Sequence, residues 1–167
     1  MTASLGARVG ALDWDALGRD LDAQGYARTA AVLTTAECEE LAKHYDDDGR
    51  FRSVIDMQRH NFGSGEYKYF GAPLPAAVDE LRHALYPPLA RVTNAWAERL
   101  DTAPFPDTLD EFLAVCHHAG QTKPTPLLLH YRAGDYNALH QDVYGEIGFP
   151  LQVLSVLSPR LVVSGQV

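Results

Sequence analysis

The segments that favour helices and those that favour strands are separated along this sequence, and that separation restricts the fold more than any other feature. Helical periodicity dominates before Gln121, and Pro-separated segments of strand character follow it. The 167 residues contain no linker, internal repeat or low-complexity segment, so residues 1–167 are expected to form one domain. This order predicts an α+β fold with helices packed on the outside of an antiparallel sheet.

Two helices are predicted in the first third of the chain. Residues 13–24 follow an aspartate that can cap a helix, and Gly25 ends the run. A second helix is predicted over residues 34–47. Thr34 and Glu37 stand at its start in the spacing of a capping box, in which each side chain bonds the other residue's backbone N–H.

Two further helical segments are predicted before the strand-rich part. Residues 75–100 have helical character, but Pro87 and Pro88 lack N–H donors and clash with the preceding turn, so one helix should end there and another begin. Residues 107–118 predict another helix, closed by Gly120.

Several short segments have the composition or alternation of strands, with turn residues between them. The aromatic run at residues 67–70 follows the loop NFGSG, and Pro residues separate the later segments. The predicted strands are residues 26–33, 51–57, 67–70, 126–132, 138–143 and 149–157.

Charge and composition restrict the partners that the protein can have. A net charge of −8, with acidic clusters in residues 37–40 and 46–48, would repel a phosphate backbone, so nucleic acid is not expected as a partner. No secretory leader or membrane-length apolar stretch is recognisable, and the two cysteines lack a ligand spacing. We therefore expect a soluble, cytoplasmic protein without membrane contact.

The sequence His140-Gln141-Asp142 has the spacing of two metal ligands on a strand. Residues two apart on a strand point to the same side, so His140 and Asp142 can face one ion. Chance supplies this spacing easily, since His44 and Asp46 repeat it in a predicted helical turn, where such residues project about 200° apart. The alternative for His140 and Asp142 is a hydrogen-bonded pair at the edge of a loop.

Two longer stretches carry a resemblance to a known family. Residues 124–157, PTPLLLHYRAGDYNALHQDVYGEIGFPLQVLSVL, and residues 51–70, FRSVIDMQRHNFGSGEYKYF, resemble a prokaryotic branch of the 2-oxoglutarate- and Fe(II)-dependent oxygenases with a prolyl-hydroxylase-like core. The resemblance implies helices packed on a partial double-stranded β-helix, or jelly-roll, that lacks its C-terminal strands. Residues 13–120 would be mainly helical support, residues 124–157 the first core strands and residues 158–167 a divergent tail.

The resemblance also implies a cofactor set and ligands. His140 and Asp142 match the first two iron ligands, and 2-oxoglutarate would be the cosubstrate, with ascorbate as an optional reductant. Tyr131 matches an aromatic residue near the cosubstrate, which either contacts 2-oxoglutarate or packs in the core. The implied reaction is hydroxylation of a C–H bond, coupled to decarboxylation of 2-oxoglutarate to succinate.

The third iron ligand of the family, a later histidine, and the Arg or Lys that anchors 2-oxoglutarate have no counterpart after Asp142. His130 has the opposite strand parity to Tyr131 and is disfavoured as a substitute. The other disfavoured substitutes are His117, His118 and Glu146, with His60 and His83 expected at the surface. A frameshift, a premature stop or an incomplete gene model would explain the shortened pattern. We expect weak or absent family activity in this polypeptide.

Two other functions stay open at this point. One is a non-catalytic fragment or degenerate paralogue that acts at most as an interaction module through exposed strands. The other is a cupin-like metal or sugar binder, which would need a further histidine from the helical half. For an oxygenase, the substrate could be a small molecule or a protein side chain, and the acidic charge argues against repair of nucleic-acid bases.

Overall fold

A computed structural model describes residues 3–140 and 145–158 and shows a mixture of helices and strands. Short 3₁₀ helices lie at His44–Asp46, Asp48–Arg50 and Gln58–His60. The described helices are α1 (Leu5–Gly10), α2 (Trp14–Gln24), α3 (Thr35–Lys43), α4 (Ala76–Asn94), α5 (Ala97–Leu100) and α6 (Leu109–His118). The described strands are β1 (Phe51–Asp56), β2 (Gly63–Ser64), β3 (Glu66–Phe70), β4 (Leu127–His130) and β5 (Tyr136–Asn137).

Strand β3 is the centre of a three-stranded antiparallel sheet in the order β1-β3-β4. Its register pairs Glu66 with Asp56 on one side and with His130 on the other. The predicted strands at residues 51–57, 67–70 and 126–132 are therefore confirmed in type, with β4 shorter than expected. Because β4 comes from the second half of the chain, this sheet joins the helical part to the segment that leads toward His140.

The buried side chain of Lys68 links the sheet to the two 3₁₀ helices that follow α3. The Lys68 Nζ atom donates to the Tyr45 carbonyl oxygen at 2.9 Å and to Asp48 Oδ1 at 2.8 Å. It also lies 4.3 Å from the centroid of the Tyr45 ring. A charge withdrawn from water is tolerated only when its donors are satisfied, so these contacts fix the orientation of β3 against the preceding turn.

The predicted helix starts are confirmed where a capping side chain defines them. Asp13 accepts a hydrogen bond at the start of α2, and Gly25 ends that helix with φ of 76°. Thr34 and Glu37 form the predicted capping box of α3. A second capping box lies at Thr108, directly before α6. This helix therefore starts at Leu109, whereas residue 107 was predicted. The caps at Asp13 and Thr34 were predicted from sequence because their bonds span only three residues, whereas the box at Thr108 was not predicted.

The predicted helix break at the double proline is wrong. Helix α4 continues through Pro87 and Pro88, and the helical region is interrupted only before α5. A proline inside a helix costs about 3 kcal/mol. Tyr86, Pro88 and Ala90 are buried, and fully burying one large apolar side chain is worth about 1.5–3 kcal/mol, so tertiary packing offsets the lost hydrogen bonds.

The predicted strand at residues 26–33 is also wrong, because none of the strands in residues 3–140 and 145–158 pairs with this segment. Tyr26 is 56% exposed. The carbonyl of Val32 instead accepts a hydrogen bond from Arg8 Nε at 2.6 Å, and Arg8 Nη2 donates to both carboxylate oxygens of Glu37 at 2.7 Å. Arg8 therefore connects α1, the irregular segment and α3, and its hydrogen bond is the main reason that the pKa of Glu37 is lowered.

Two predicted strands near the motif differ from the structure. Strand β5 lies just before the predicted strand at residues 138–143, of which residues 138–140 are irregular and residues 141–143 lie outside the described part. The segment of residues 149–157 is irregular and pairs with no strand in the described part of the chain. Val153, Leu154 and Val156 along it are exposed. The apolar composition of this segment predicted a strand, but the hydrogen-bonded partner that a strand requires is not present in the described part of the chain.

Aromatic side chains form the core between α4 and α6. Tyr86 stacks on Phe112 at a centroid distance of 5.3 Å, and Phe149 packs on Tyr86 at 5.4 Å and on Phe105 at 5.0 Å. The cluster comprises Tyr86, Ala90 and Leu109, with Phe105, Phe112, Leu113 and Phe149 packed against them. Phe149 thereby attaches the last described segment to the core between α4 and α6.

The α+β class is confirmed, with antiparallel pairing in both described sheets. Within residues 3–140 and 145–158 the strands form a three-stranded and a two-stranded sheet, so the jelly-roll core and its division into support and core segments stay predictions. No helix in this described part is both long and apolar enough to cross a membrane.

The contact between α4 and α6 predicts a pH-dependent stability. His83 Nδ1 bonds the Asp79 carbonyl oxygen at 2.8 Å, and Nε2 lies 3.2 Å from Asp110 Oδ1, so these contacts raise the pKa of His83. Because the folded pKa is raised, the stabilisation is complete below about pH 6.5, the unfolded value, and is lost as pH rises through the folded value.

The His83 side chain is 43% exposed, so we expect this contribution to be no more than about 0.5 kcal/mol. Urea unfolding of the wild type and of His83→Gln between pH 5 and pH 8 measures it. The difference in unfolding free energy between the two proteins should shrink as pH rises. A difference that is constant with pH would contradict the assignment.

Candidate metal site beside strand β5

A glycine-rich ladder places the chain just before His140. Strand β2 pairs antiparallel with β5, with Gly63 opposite Asn137. The Ala138 N–H also donates to the Phe62 carbonyl oxygen at 2.8 Å. Gly63 has φ of 122°, and a Cβ atom on it would collide with the Tyr136 carbonyl oxygen. Only glycine permits this approach, so β2 fixes the backbone two residues upstream of His140.

The ladder gives a direct test of that constraint. Gly63→Ala should lower the free energy of unfolding by about 1–3 kcal/mol or more, since it combines a positive φ with a backbone clash. Gly6→Ala is a matched control, because Gly6 lies inside helix α1 and a Cβ atom there would meet nothing within 4 Å. That control should be neutral or stabilising by about 0.5–1 kcal/mol. Equal thermal unfolding temperatures for the two variants would contradict the role of Gly63.

His140 is exposed and has a defined hydrogen bond on one ring nitrogen. Its Nδ1 atom lies 2.7 Å from the Ala138 carbonyl oxygen. A carbonyl can only accept, so Nδ1 is the donor in this hydrogen bond. A metal-binding imidazole needs this arrangement, in which one ring nitrogen donates a hydrogen bond that orients the ring and the other is the ligand atom. Asp142, the second predicted ligand, lies outside the described residues.

The chain is also held on the far side of the predicted ligand pair. Phe149 packs in the aromatic core, and Ile147 forms two backbone hydrogen bonds with the side-chain amide of Gln121. The described chain is therefore held on both sides of the motif, by β2 before His140 and by Gln121 and the aromatic core at Ile147 and Phe149.

Tyr131 lies beside the glycine ladder and is half-buried. A Cβ atom on Gly65 would lie 2.8 Å from Tyr131 Cδ1, so the ring packs directly against the glycine backbone. Burial, with a smaller contribution from Asp135, raises the pKa of Tyr131 and keeps its hydroxyl neutral at pH 7. Packing is therefore shown, while a contact of Tyr131 with 2-oxoglutarate stays a prediction.

A polar cleft of about 280 Å³ lies next to this ladder, and the sequence did not reveal it. Ser64 Oγ donates to Asp135 Oδ1 at 2.5 Å, and the Arg132 N–H donates to Asp135 Oδ2 at 2.8 Å. These bonds, the first of them most, lower the pKa of Asp135. The cleft is lined by Asp56, Gln58, Ser64, Gly65, Glu66, His130, Arg132 and Asp135.

The carboxylates of this cleft come from β1, β3 and the turn after β4, which are far apart in sequence. His130 lines the same cleft. It lies opposite Glu66 in the sheet, and the centroid of its ring is 4.9 Å from that of Tyr45. Tyr131, the next residue, packs on Gly65 instead. Among the described residues, no group of three or more His, Cys, Asp or Glu side chains is arranged to hold a metal.

The remaining histidines considered as ligands lie in separate places. His117 and His118 are exposed at the end of α6, and His60 stacks on Phe62 at a centroid distance of 5.6 Å. His83 contacts acidic side chains of α4 and α6. Glu146 is exposed in the segment after the motif. The described structure thus brings none of them together with His140 in a metal-binding group.

Comparison with known families decides the class of the protein. Residues 65–162, more than half of the chain, match Oxygenase-NA, an oxygenase family described as catalysing oxidative methylation of damaged DNA. The chain belongs to this family. The match spans β3, β4, β5 and the His140-Gln141-Asp142 motif, so an oxygenase-type protein is confirmed at that level.

Two proteins of Mycobacterium tuberculosis are similar to part of the chain. They are Uncharacterized protein MT2286 of strain CDC 1551 / Oshkosh and Uncharacterized protein Rv2227 of strain ATCC 25618 / H37Rv. Each is 53% identical over 92 residues, which cover 53% of this chain and 39% of the relative. The chain thus spans about two fifths of the length of these curated relatives. No solved structure matches the chain.

Proposed function

We propose that the protein is a 2-oxoglutarate- and Fe(II)-dependent dioxygenase of the hydroxylase type, in which His140 and Asp142 are two iron ligands. The observation that carries the proposal is the His140 ring, held just beyond the β2–β5 ladder with its proton on Nδ1. The family match supports the oxygenase class, which favours this function over a non-catalytic interaction module. A prolyl-hydroxylase-like architecture is the finer part of the proposal.

The donor types in the motif suit Fe(II). Imidazole and carboxylate ligands that leave positions open are typical of non-haem iron oxygenases. When bound, Fe(II) and 2-oxoglutarate supply the oxidising chemistry, with succinate and CO₂ as coproducts and ascorbate as an optional reductant. The share of the chain is to orient the His140 ring and to keep its proton on Nδ1, so that Nε2 can bind metal.

Tyr131 is proposed to lie on the cosubstrate side of the site. Its neutral hydroxyl could donate a hydrogen bond to a carboxylate of 2-oxoglutarate, and its ring packs against the backbone of Gly65. His140 and Asp142 would supply two of the protein ligands of the iron.

Removal of the His140 ring tests the proposal. We expect His140→Ala to weaken Fe(II) or Co(II) binding at least about tenfold, since even loss of a group that orients a ligand costs about 10–100-fold. His118→Ala is the matched control, because His118 is exposed at the end of α6. Anaerobic metal titration and iron-dependent succinate formation provide the two measurements.

The outcomes separate the possible functions. Metal binding that depends on His140 and not on His118 supports the oxygenase site. Equal binding by the wild type and His140→Ala, with no iron-dependent succinate above the level of the variant, would overturn it. A loss of binding in His118→Ala would instead indicate a ligand from the helical half, as a cupin-like binder requires.

The proposed substrate is a small molecule or a protein side chain, although the family description names damaged DNA. The net charge of −8 and the carboxylates of Asp56, Glu66 and Asp135 in the polar cleft oppose a phosphate backbone. We therefore expect no binding of single- or double-stranded oligonucleotides at protein concentrations up to about 100 μM in physiological salt. Fluorescence anisotropy measures this, and binding that weakens as salt rises would favour the DNA substrate.

A further inference from the structure

We propose that the polar cleft beside the β2–β5 ladder binds a free α-amino acid with an apolar side chain. In this assignment Asp56 and Glu66 hold the ammonium group of the ligand, and Arg132 holds its carboxylate. The assignment goes beyond the proposed function, because it needs no metal at His140. Three features of the described residues support it, namely the charges across the sheet, the guanidinium of Arg132 and a second cleft that adjoins the first.

Three titratable side chains form a row across the sheet. Glu66 of β3 lies opposite Asp56 of β1 and opposite His130 of β4. Residues directly opposite on antiparallel strands point to the same face of the sheet, with Cβ atoms about 4.5–5.5 Å apart. The two carboxylates and the imidazole are therefore neighbours on one face, and all three line the polar cleft.

Asp56 and Glu66 form a like-charged pair, and like charges directly opposite each other destabilise a sheet. Contacts within the chain offset this repulsion only in part. Glu66 accepts a hydrogen bond from the Tyr45 hydroxyl, while Lys68 Nζ is 4.0 Å from Glu66 Oε1. Asp56 pairs with Arg59 at 3.3 Å, but Arg59 is 81% exposed and its charge is screened by water. An ammonium group between the two carboxylates removes the remaining repulsion.

Arg132 supplies the opposite charge in the same cleft. Its guanidinium has no hydrogen bond or ion pair within residues 3–140 and 145–158, and only its backbone N–H is engaged, with Asp135. Asp135 itself is satisfied, since one oxygen accepts from Ser64 Oγ and the other from that N–H. A guanidinium binds a carboxylate through two parallel hydrogen bonds, which fixes direction as well as charge. Arg132 is thus available for the carboxylate of a ligand.

A second cleft of about 370 Å³ adjoins the polar one through Gln58 and Ser64, which line both. Tyr136 lies in this second cleft and is 62% exposed. An exposed aromatic ring offers a surface on which an apolar group can pack, and small-molecule sites combine such a surface with a few convergent polar groups. The polar cleft therefore takes the charged groups of the amino acid, and the second cleft takes its side chain.

The balance of charges selects a ligand with both signs. A purely cationic ligand would leave Arg132 without a partner, and a purely anionic one would add to the repulsion between Asp56 and Glu66. A metal ion does not suit the cleft, because no group of His, Cys, Asp and Glu side chains in the described part of the chain is arranged to hold one. A zwitterion satisfies both kinds of charge.

Three probes of similar shape test the assignment in the full chain. L-phenylalanine has both charges, phenethylamine lacks the carboxylate, and hydrocinnamate lacks the ammonium group. Isothermal titration calorimetry at pH 7 should show L-phenylalanine binding at least about tenfold more tightly than either of the other two, since each of them loses a charge-assisted hydrogen bond. Equal affinities, or no binding of L-phenylalanine up to about 10 mM, would overturn the proposal.

Charge-neutralising variants should remove these preferences one at a time. In Glu66→Gln, which keeps an acceptor for Tyr45, L-phenylalanine should bind no more tightly than hydrocinnamate. In Arg132→Gln it should bind no more tightly than phenethylamine. Asp110→Asn is the matched control, because Asp110 is 82% exposed on α6 and does not line the cleft, and it should leave the preference unchanged.

Thermal unfolding separates an effect on binding from an effect on folding. Asp56→Asn relieves the repulsion, so it should keep or raise the unfolding temperature of the ligand-free protein while it weakens L-phenylalanine binding about tenfold. If L-phenylalanine binds equally well to the wild type, Glu66→Gln and Arg132→Gln, the cleft is not its site and the proposal fails. These measurements use no iron, so a failure here leaves the test of His140 unaffected.

Discussion

The backbone pairing between β2 and β5 is the interaction on which the geometry near the motif depends. The loop that joins β1 and β3 has to approach the turn after β4 within hydrogen-bonding distance, and Gly63 allows this because it has no Cβ atom. Gly65 makes the same kind of room for the ring of Tyr131. The three-stranded sheet supplies the rigid base for both contacts, so the position of His140 is derived from the sheet rather than from the short segment around it.

The helical part of the chain provides contacts downstream of the motif. Aromatic packing between α4 and α6 accepts Phe149, and Gln121 holds Ile147 by two hydrogen bonds. The described residues on the two sides of the motif are thus held by separate parts of the fold, the upstream ones by the β2–β5 ladder and the downstream ones by Gln121 and the aromatic core.

Sequence reasoning predicted the parts of the fold that depend on bonds between near neighbours. The capping box of Thr34 was predicted because its partner is three residues away. The strand predicted at residues 26–33 failed because apolar composition does not supply a pairing partner, and the break at Pro87 failed because packing of α4 outweighed a local penalty. For the site, His140 and Asp142 stay predictions from their spacing, whereas the polar cleft was not predicted, since Asp56 and Asp135 are distant in sequence.

The sequence by itself determined the helix starts, the charge balance and the motif residues His140 and Asp142, along with the resemblance to an oxygenase family that the comparison then confirmed in its broader form. These properties depend on residue identity and short spacings. Only the tertiary structure decided which apolar segments pair as strands, which nitrogen of His140 holds its proton and which carboxylates share the polar cleft. Each of those outcomes depends on groups distant in sequence or on the backbone path that brings them together, and no local preference encodes such a path.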